Sequence, residues 1–323
     1  MIARMVPDMH EMNELGSRNA SAEVGSPENT YIQWIAALRM PGETLHIALL
    51  CNPLAGVGRS VPLAEKVGSL LAASGIGYQS FVNDWPADFK GFSDVWIVGG
   101  DGTFHHFINR YPNNSLPLGL IDGGTGNDFH WELYGNLPIE ALLARILSSD
   151  PRPVDLGLCN GERFINGMGI GFEGAVAKDL TGKAKRPGKA SYMAAVLRNI
   201  FGYRSLTYRL KADGESLSGR WLMVDVNNSS RTGGGFHVAP QALPDDGWLD
   251  LMTVDAVNPL QRLRYLPVIE RGRHLDLPFV HCRRVRELSI ESDKPLCFHM
   301  DGDVQEARSL RISVLPGAVR IRY

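Results

Sequence analysis

The chain has 323 residues, 44% hydrophobic and 21% charged, which excludes bulk disorder and leaves room for two cores. Lys and Arg number 33 against 35 Asp and Glu, a net charge of -2, which argues against a global polyanion binder. The longest apolar run, 192–197, falls far short of the ~20 residues of a membrane-spanning helix, and the N-terminus lacks the apolar stretch of a Sec signal.

Residues 1–43 read as an appendage. It is polar and aperiodic to residue 25, then helical from Ser26-Pro27-Glu28 until Pro41-Gly42 stops it. The apolar face of that helix suits docking on the body of the protein, since only Arg39 supplies basic charge. From 44 to 152, strands are expected at 45–51, 76–82, 94–98 and 116–121, with helices at 61–73, 103–110 and 138–147. This alternation predicts an α/β N-terminal domain with an open, mostly parallel sheet, whose ligands bind beyond the carboxyl ends of the strands. After Pro151 the pattern turns antiparallel. Hairpins are expected around Asn160-Gly161 and Asp213-Gly214, further strands at 248–254, 285–290, 296–300, 310–315 and 318–322, and one helix at 259–270 capped by Asn258. Residues 153–309 therefore predict a C-terminal antiparallel β-sandwich domain, with the boundary near 151–153. Cys51, Cys159, Cys282 and Cys297 show no CxxC spacing and read as buried, reduced thiols of a cytoplasmic protein.

Glycine is the compositional outlier, with 35 residues, and two clusters of it sit at strand ends. Gly99-Gly100-Asp101-Gly102-Thr103 lies between a strand and a helix. Its main-chain N–H groups suit phosphate. Asp101 would repel a bare phosphate, so it implies an intervening Mg²⁺, a ribose hydroxyl or a bound water. Asp122-Gly123-Gly124-Thr125-Gly126-Asn127-Asp128 repeats the arrangement, with Thr125 placed for a phosphate and Asn127 or Asp128 for a helix cap. No P-loop pattern occurs. Gly169, Gly171 and Gly174 form a GxGxxG in the β-rich half without the acid about 20 residues downstream, and read as close backbone packing.

Asn52-Pro53 with Gly56, the Gly99–Thr103 loop and Gly124-Thr125-Gly126-Asn127-Asp128-Phe129 resemble the diacylglycerol kinase catalytic domain family. That family of ATP-dependent lipid kinases includes long-chain-base kinases and shares its first loop with NAD kinases. The likeness continues through Asp155, Phe164-Ile165-Asn166, Gly169-Ile170-Gly171-Phe172, Asp246-Gly247-Trp248-Leu249-Asp250 and Asp301-Gly302-Asp303.

The resemblance implies that ATP lies across the two loops, with Asn52, Gly56, Gly99, Gly100, Asp101, Gly102, Thr103, His105, Gly124, Thr125 and Asn127 shaping its site. It implies Asp101, Asp128 and Asp155 as active-site acids acting through Mg²⁺ and water. A second, structural Mg²⁺ would be held by Asp246 and the carbonyls of Leu243 and Trp248, and residues 310–323 would return to the first domain. Asp303 stands where the family carries its general base, a Glu, and is one methylene shorter. His105-His106 replace a usual Asn-Glu, Asp122 a usual Pro and Glu173 a usual Asp.

Eight Lys or Arg and no acid lie within 181–211, beside the apolar run 192–197, a pattern that fits either an anionic membrane surface or a solvated face. Nucleic acid is not an expected partner, because no stacking platform or groove-reading motif accompanies the charge. Oligomeric state stays open. The functional expectation is a lipid kinase, on diacylglycerol first and a sphingoid base next. An NAD kinase-like enzyme and a catalytically weak nucleotide- or lipid-binding protein are the rivals.

Overall fold

The computed structural model describes residues 45–180 and 189–323. The expected N-terminal helix and the basic residues Lys183, Lys185 and Arg186 lie outside them. In the first half, β1 (His46–Cys51), β2 (Gly77–Val82), β3 (Asp94–Gly99) and β4 (Leu118–Asp122) pair in parallel in the order β2-β1-β3-β4. β3 is buried throughout, and β1 along all but His46. They read as continuous apolar runs because they are covered on both faces. β2 is the edge strand and stays largely exposed. The helices are α1 (Ser60–Ala73), α2 (Asp101–Arg110), α3 (Asp128–Tyr134) and α4 (Ile139–Ser148). Their apolar faces close one core in which Trp96, Phe107 and Phe129 are fully buried. Each such side chain contributes roughly 1.5–3 kcal/mol of burial.

The second half opens with β5 (Pro151–Cys159), so the expected boundary falls at the start of a strand. β5 turns through Asn160 (φ 50°) and Gly161 (φ 94°) into β6 (Glu162–Phe164). Then come β7 (Gly167–Gly171), α5 (Phe172–Leu180), α6 (Lys189–Gly202), β8 (Leu206–Ala212) and β9 (Glu215–Asn227). After β10 (Leu249–Asp255), α7 (Pro259–Glu270) begins in a capping box between Asn258 and Gln261. The chain ends with β11 (Val280–Val285), β12 (Glu287–Met300) and β13 (Asp303–Arg322).

β8 pairs with the starts of β9 and β12, whose ends pair with β7. The long strands thus bend from one layer to the other around Leu210, Val224, Ile290 and Phe298. β13 pairs antiparallel with β12 and β5, and Ile321 pairs in parallel with Leu118 of β4. One sheet therefore runs through both halves, in the order β11-β10-β9-β7-β12-β13-β4-β3-β1-β2.

Three expectations need correction. Residues 285–300 hold the end of β11 and the whole of β12, not two separate strands broken between 290 and 296, because the exposed residues around Lys294-Pro295 form a bulge instead of a break. Residues 310–322 belong to one long β13 with an irregularity between Leu315 and Val319. α5 and α6 occupy a stretch expected to hold no helix. Gly174, in the first turn of α5, lets that helix lie against β12, since a Cβ there would come 2.3 Å from the Cys297 carbonyl oxygen.

Candidate active site

β3 and β4 end side by side, with Gly99 opposite Asp122, and both glycine clusters follow from there. The two turns touch through main chain. A Cβ on Gly124 would lie 2.3 Å from Gly100 Cα. A third turn after β1 joins them. Gly56 adopts φ 58°, and a Cβ there would meet the Gly123 carbonyl oxygen at 2.2 Å. Side chains lock this contact. Asn52 Nδ2 donates to Thr103 Oγ1 (3.1 Å), and Asn127 accepts from the Gly124 amide through Oδ1 (3.1 Å). Arg59 donates to the carbonyls of Gly56 (3.1 Å) and Gly124 (2.6 Å). Arg59 was not among the expected residues. Gly102 and Thr125 are exposed on the rim, and Gly100 and Asn127 are partly exposed.

The expected acids separate into different roles. Asp101 accepts from the amides of Asp128 (2.9 Å) and Phe129 (3.0 Å) and so caps α3. Burial pushes its carboxyl up, against the hydrogen bonds from Phe129, Asp128 and Asn166. Asp155 uses both oxygens on amides, those of Gly247 (2.6 Å) and Gly317 (2.7 Å), and ties β5 to the Asp246-Gly247 turn and to the irregularity in β13. Both were expected as active-site acids acting through Mg²⁺ and water, and both hold main chain here. Asp128 is buried as well, and it reaches the second half. Its Oδ2 accepts from the Gly234 amide (2.7 Å), and its Oδ1 lies 3.3 Å from Arg231. Burial and the nearby Asp101 raise it to about 6, against Gly234, Arg231 and Gly235.

Arg231 comes from the second half and stacks 3.9 Å over the Trp131 ring, while Glu132 accepts from the Ser230 amide and hydroxyl. The loop 230–235, with three consecutive glycines at positive φ, thus clasps α3. That glycine triplet is the sequence signal for this loop.

At the opposite side of α2, the β12–β13 turn is Asp301 (φ 46°) and Gly302 (φ 94°), a third tight hairpin. The Asp301 side chain is fully buried and accepts from the amides of Ile165 (2.8 Å), Asn166 (2.8 Å) and Gly167 (3.2 Å) and from His105 Nδ1 (2.9 Å). Asp303 follows, 72% exposed, with Oδ2 4.0 Å from His105 Nε2. His105, expected among the nucleotide contacts, is instead buried with carboxylates on both ring nitrogens. His106 is exposed beside Trp85.

Asp246 has Oδ1 on the Trp248 amide (3.1 Å), while its buried Oδ2 has no hydrogen-bond partner and lies 3.3 Å from Arg284. An unpartnered buried carboxylate oxygen in a tight turn suits a hard cation, although Arg284 already supplies part of that charge. Burial and Asp246 raise Asp250 to about 6, against Arg284. Elsewhere in the second half, Asp225 is fully buried, and burial together with Glu173 lifts its carboxyl far above the usual range.

Touching glycine turns in the first part, with an exposed acid of the second part across α2, make a class of site that suits a phosphorylated ligand. Comparison with known proteins narrows the class. Residues 46–159 match the family model described as the diacylglycerol kinase catalytic domain, and residues 167–323 that of the YegS C-terminal NAD kinase beta sandwich-like domain. The chain is 31% identical over 239 residues to a probable lipid kinase, YegS-like, from Pseudomonas aeruginosa (strain UCBPP-PA14), covering 72% of this chain and 76% of that one. It is 28% identical over 294 residues to a diacylglycerol kinase from Mycobacterium tuberculosis, covering 85% and 94%. A crystal structure of a diacylglycerol kinase from Bacillus anthracis str. Sterne shares the fold, with TM-score 0.64 at 20% identity over 88% of this chain and 98% of that one. The chain belongs to the diacylglycerol kinase catalytic domain family of lipid kinases, in its YegS-like form.

Proposed function

We propose that this protein transfers the γ-phosphate of ATP to a lipid hydroxyl, diacylglycerol being the first acceptor to test and a sphingoid base the next. The observation that carries this reading is the main-chain contact of the Gly99–Thr103 and Gly123–Asn127 turns at the carboxyl ends of β3 and β4. Exposed amides and the N-terminus of α2 there suit a triphosphate. Mg²⁺ bound with ATP would neutralise phosphate charge, and Asp128 and Asn127 would orient its water shell. Asp101 holds the turn that carries these groups, and Asp155 holds the Asp246-Gly247 turn of the second half. Asp303 accepts the proton of the lipid hydroxyl as its oxygen bonds to the γ-phosphorus and the bond to ADP breaks. A second Mg²⁺ at Asp246, with the Leu243 and Trp248 carbonyls, would brace the turn that Asp155 also holds.

The acceptor reaches the site from a bilayer. No helix among the described residues is long and apolar enough to cross a membrane. Leu197 and Phe201 of α6 and Leu260 and Leu263 of α7 are exposed on packed helices, with Arg204 and Arg264 exposed nearby. Apolar side chains among cations suit an anionic leaflet.

Labelled ATP with mixed vesicles containing diacylglycerol or a sphingoid base tests the whole reading. A labelled phospholipid is expected. Label on NAD instead would replace it. A catalytically weak binding protein is the second reading, favoured by the shortness of Asp303. A large gain on Asp303→Glu would support it.

A further inference from the structure

α2 comes from the glycine-turn half and meets the Asp301-Gly302 turn of the other half at His105. The ring is 6% exposed. Nδ1 lies 2.9 Å from Asp301 Oδ2, and Nε2 lies 3.0 Å from Glu162 Oε1 and 3.4 Å from Asn109 Nδ2. Neither acceptor is free to swing away. Asp301 is held by three consecutive main-chain amides, and Glu162 Oε2 accepts from Gln305 Nε2 (2.7 Å). One turn along α2, Asn109 donates to the Arg163 carbonyl (2.9 Å) and accepts from its amide (2.9 Å), which fixes the helix against β6. A neutral imidazole has one bare nitrogen, and here that nitrogen would face a carboxylate lone pair. Donation to both carboxylates needs the cation.

We propose that His105 is a positioning residue for phosphoryl transfer: a buried cationic strut between the two halves that fixes the Asp301-Gly302 tip and so holds the neighbouring Asp303 carboxylate in place. The proposal rests on Asp303 being the base. The groups facing the ring are Asp301 and Asp303 from the β12–β13 hairpin, Glu162 from β6 and Asn109 from α2, with Asp101 interacting with Asp301 from behind. Burial alone would pull the imidazole down, but Asp301, Glu162 and Asp303 outweigh it and raise it to about 9. A purely space-filling histidine would need none of this charge.

The test uses the full chain. Long-range proton–nitrogen spectra of the histidine rings, assigned with His105→Asn, read the charge without any turnover. The expected result is a doubly protonated His105 ring at about pH 7.5, where exposed histidines are largely neutral. A neutral ring there overturns the strut. In vesicle assays, His105→Asn and His105→Gln should lower kcat by about tenfold to a hundredfold, leave KM for ATP within about twofold, and move the acid limb of the kcat profile to higher pH. An unmoved pH profile with parallel losses in kcat and ATP affinity would reduce His105 to packing and overturn the proposal. Glu162→Gln, at a half-exposed position, covers the case in which both variants fail to fold. It should lower the titration midpoint of His105, and an unchanged midpoint counts against the strut. No turnover in the unaltered protein would instead remove Asp303 as base, while the spectra would still decide whether the strut is charged.

Discussion

The two sides of the candidate site are made of different material. At the glycine rim, main chain meets main chain, and Gly100, Gly124 and Gly56 leave no room for a Cβ. At the hairpin tip, side chain meets side chain, and Asp301, His105 and Glu162 are joined by charge across 57 to 196 positions of sequence. The rim is local in sequence and sensitive to bulk. The tip is distant in sequence and sensitive to charge. A ligand gripped by amide hydrogens needs the first kind of construction, and a proton acceptor of fixed charge needs the second.

The largest effect is expected from bulk at the rim. Gly124→Val should abolish ATP binding and cost about 2–4 kcal/mol of stability, read by calorimetry and by denaturant melts. A folded Gly124→Val chain that binds ATP normally would detach the rim from the nucleotide. Next comes charge at the tip. Asp303→Asn should lower kcat by about 10²–10⁴-fold while shifting stability by less than about 0.5 kcal/mol, because the side chain is mostly exposed.

Asp128 stands between the two kinds of construction and gives a pH signature. Its folded-state pKa of about 6 lies above the ordinary carboxylate value, so the native state binds the proton more tightly than the unfolded chain. Native stability therefore falls as pH rises from about 4 to about 6 and is level above that. Asp128→Asn should remove this slope and melt higher, relative to the unaltered chain, at about pH 8 than at about pH 4, while losing activity. The smallest effect is expected at the exposed helices. Phe201→Asp should weaken sedimentation with anionic vesicles by about fivefold and leave ATP binding unchanged, since one apolar side chain is withdrawn from the leaflet.

The same contrast explains what could be read from sequence. β1 and β3 stood out as unbroken apolar runs, and the turns at Asn160-Gly161 and Asp213-Gly214 took the left-handed backbone their residues favour. The rim was legible because glycines cluster where backbone must approach backbone. Asp301-Gly302 carried the same turn signal, but its burial and four donors depend on β6, β7 and α2, which nothing local announces. Arg59, Arg231 and Glu162 were missed for the same reason. Their partners lie up to 143 residues away in sequence, as with Glu162 and Gln305, while Arg231 reaches Asp128 over 103 and Arg59 reaches Gly124 over 65. α5 and α6 were missed because glycines and lysines mask a helical period that tertiary packing nonetheless stabilises.

Amide hydrogen exchange on the full chain, with and without ATP and Mg²⁺, addresses the rim most directly. The expected result is slowed exchange confined to residues 99–103 and 123–128 and to the turn after β1, lost in Gly124→Val. Unchanged exchange at these amides, or protection centred in the second half while the rim stays open, would contradict the placement of the nucleotide.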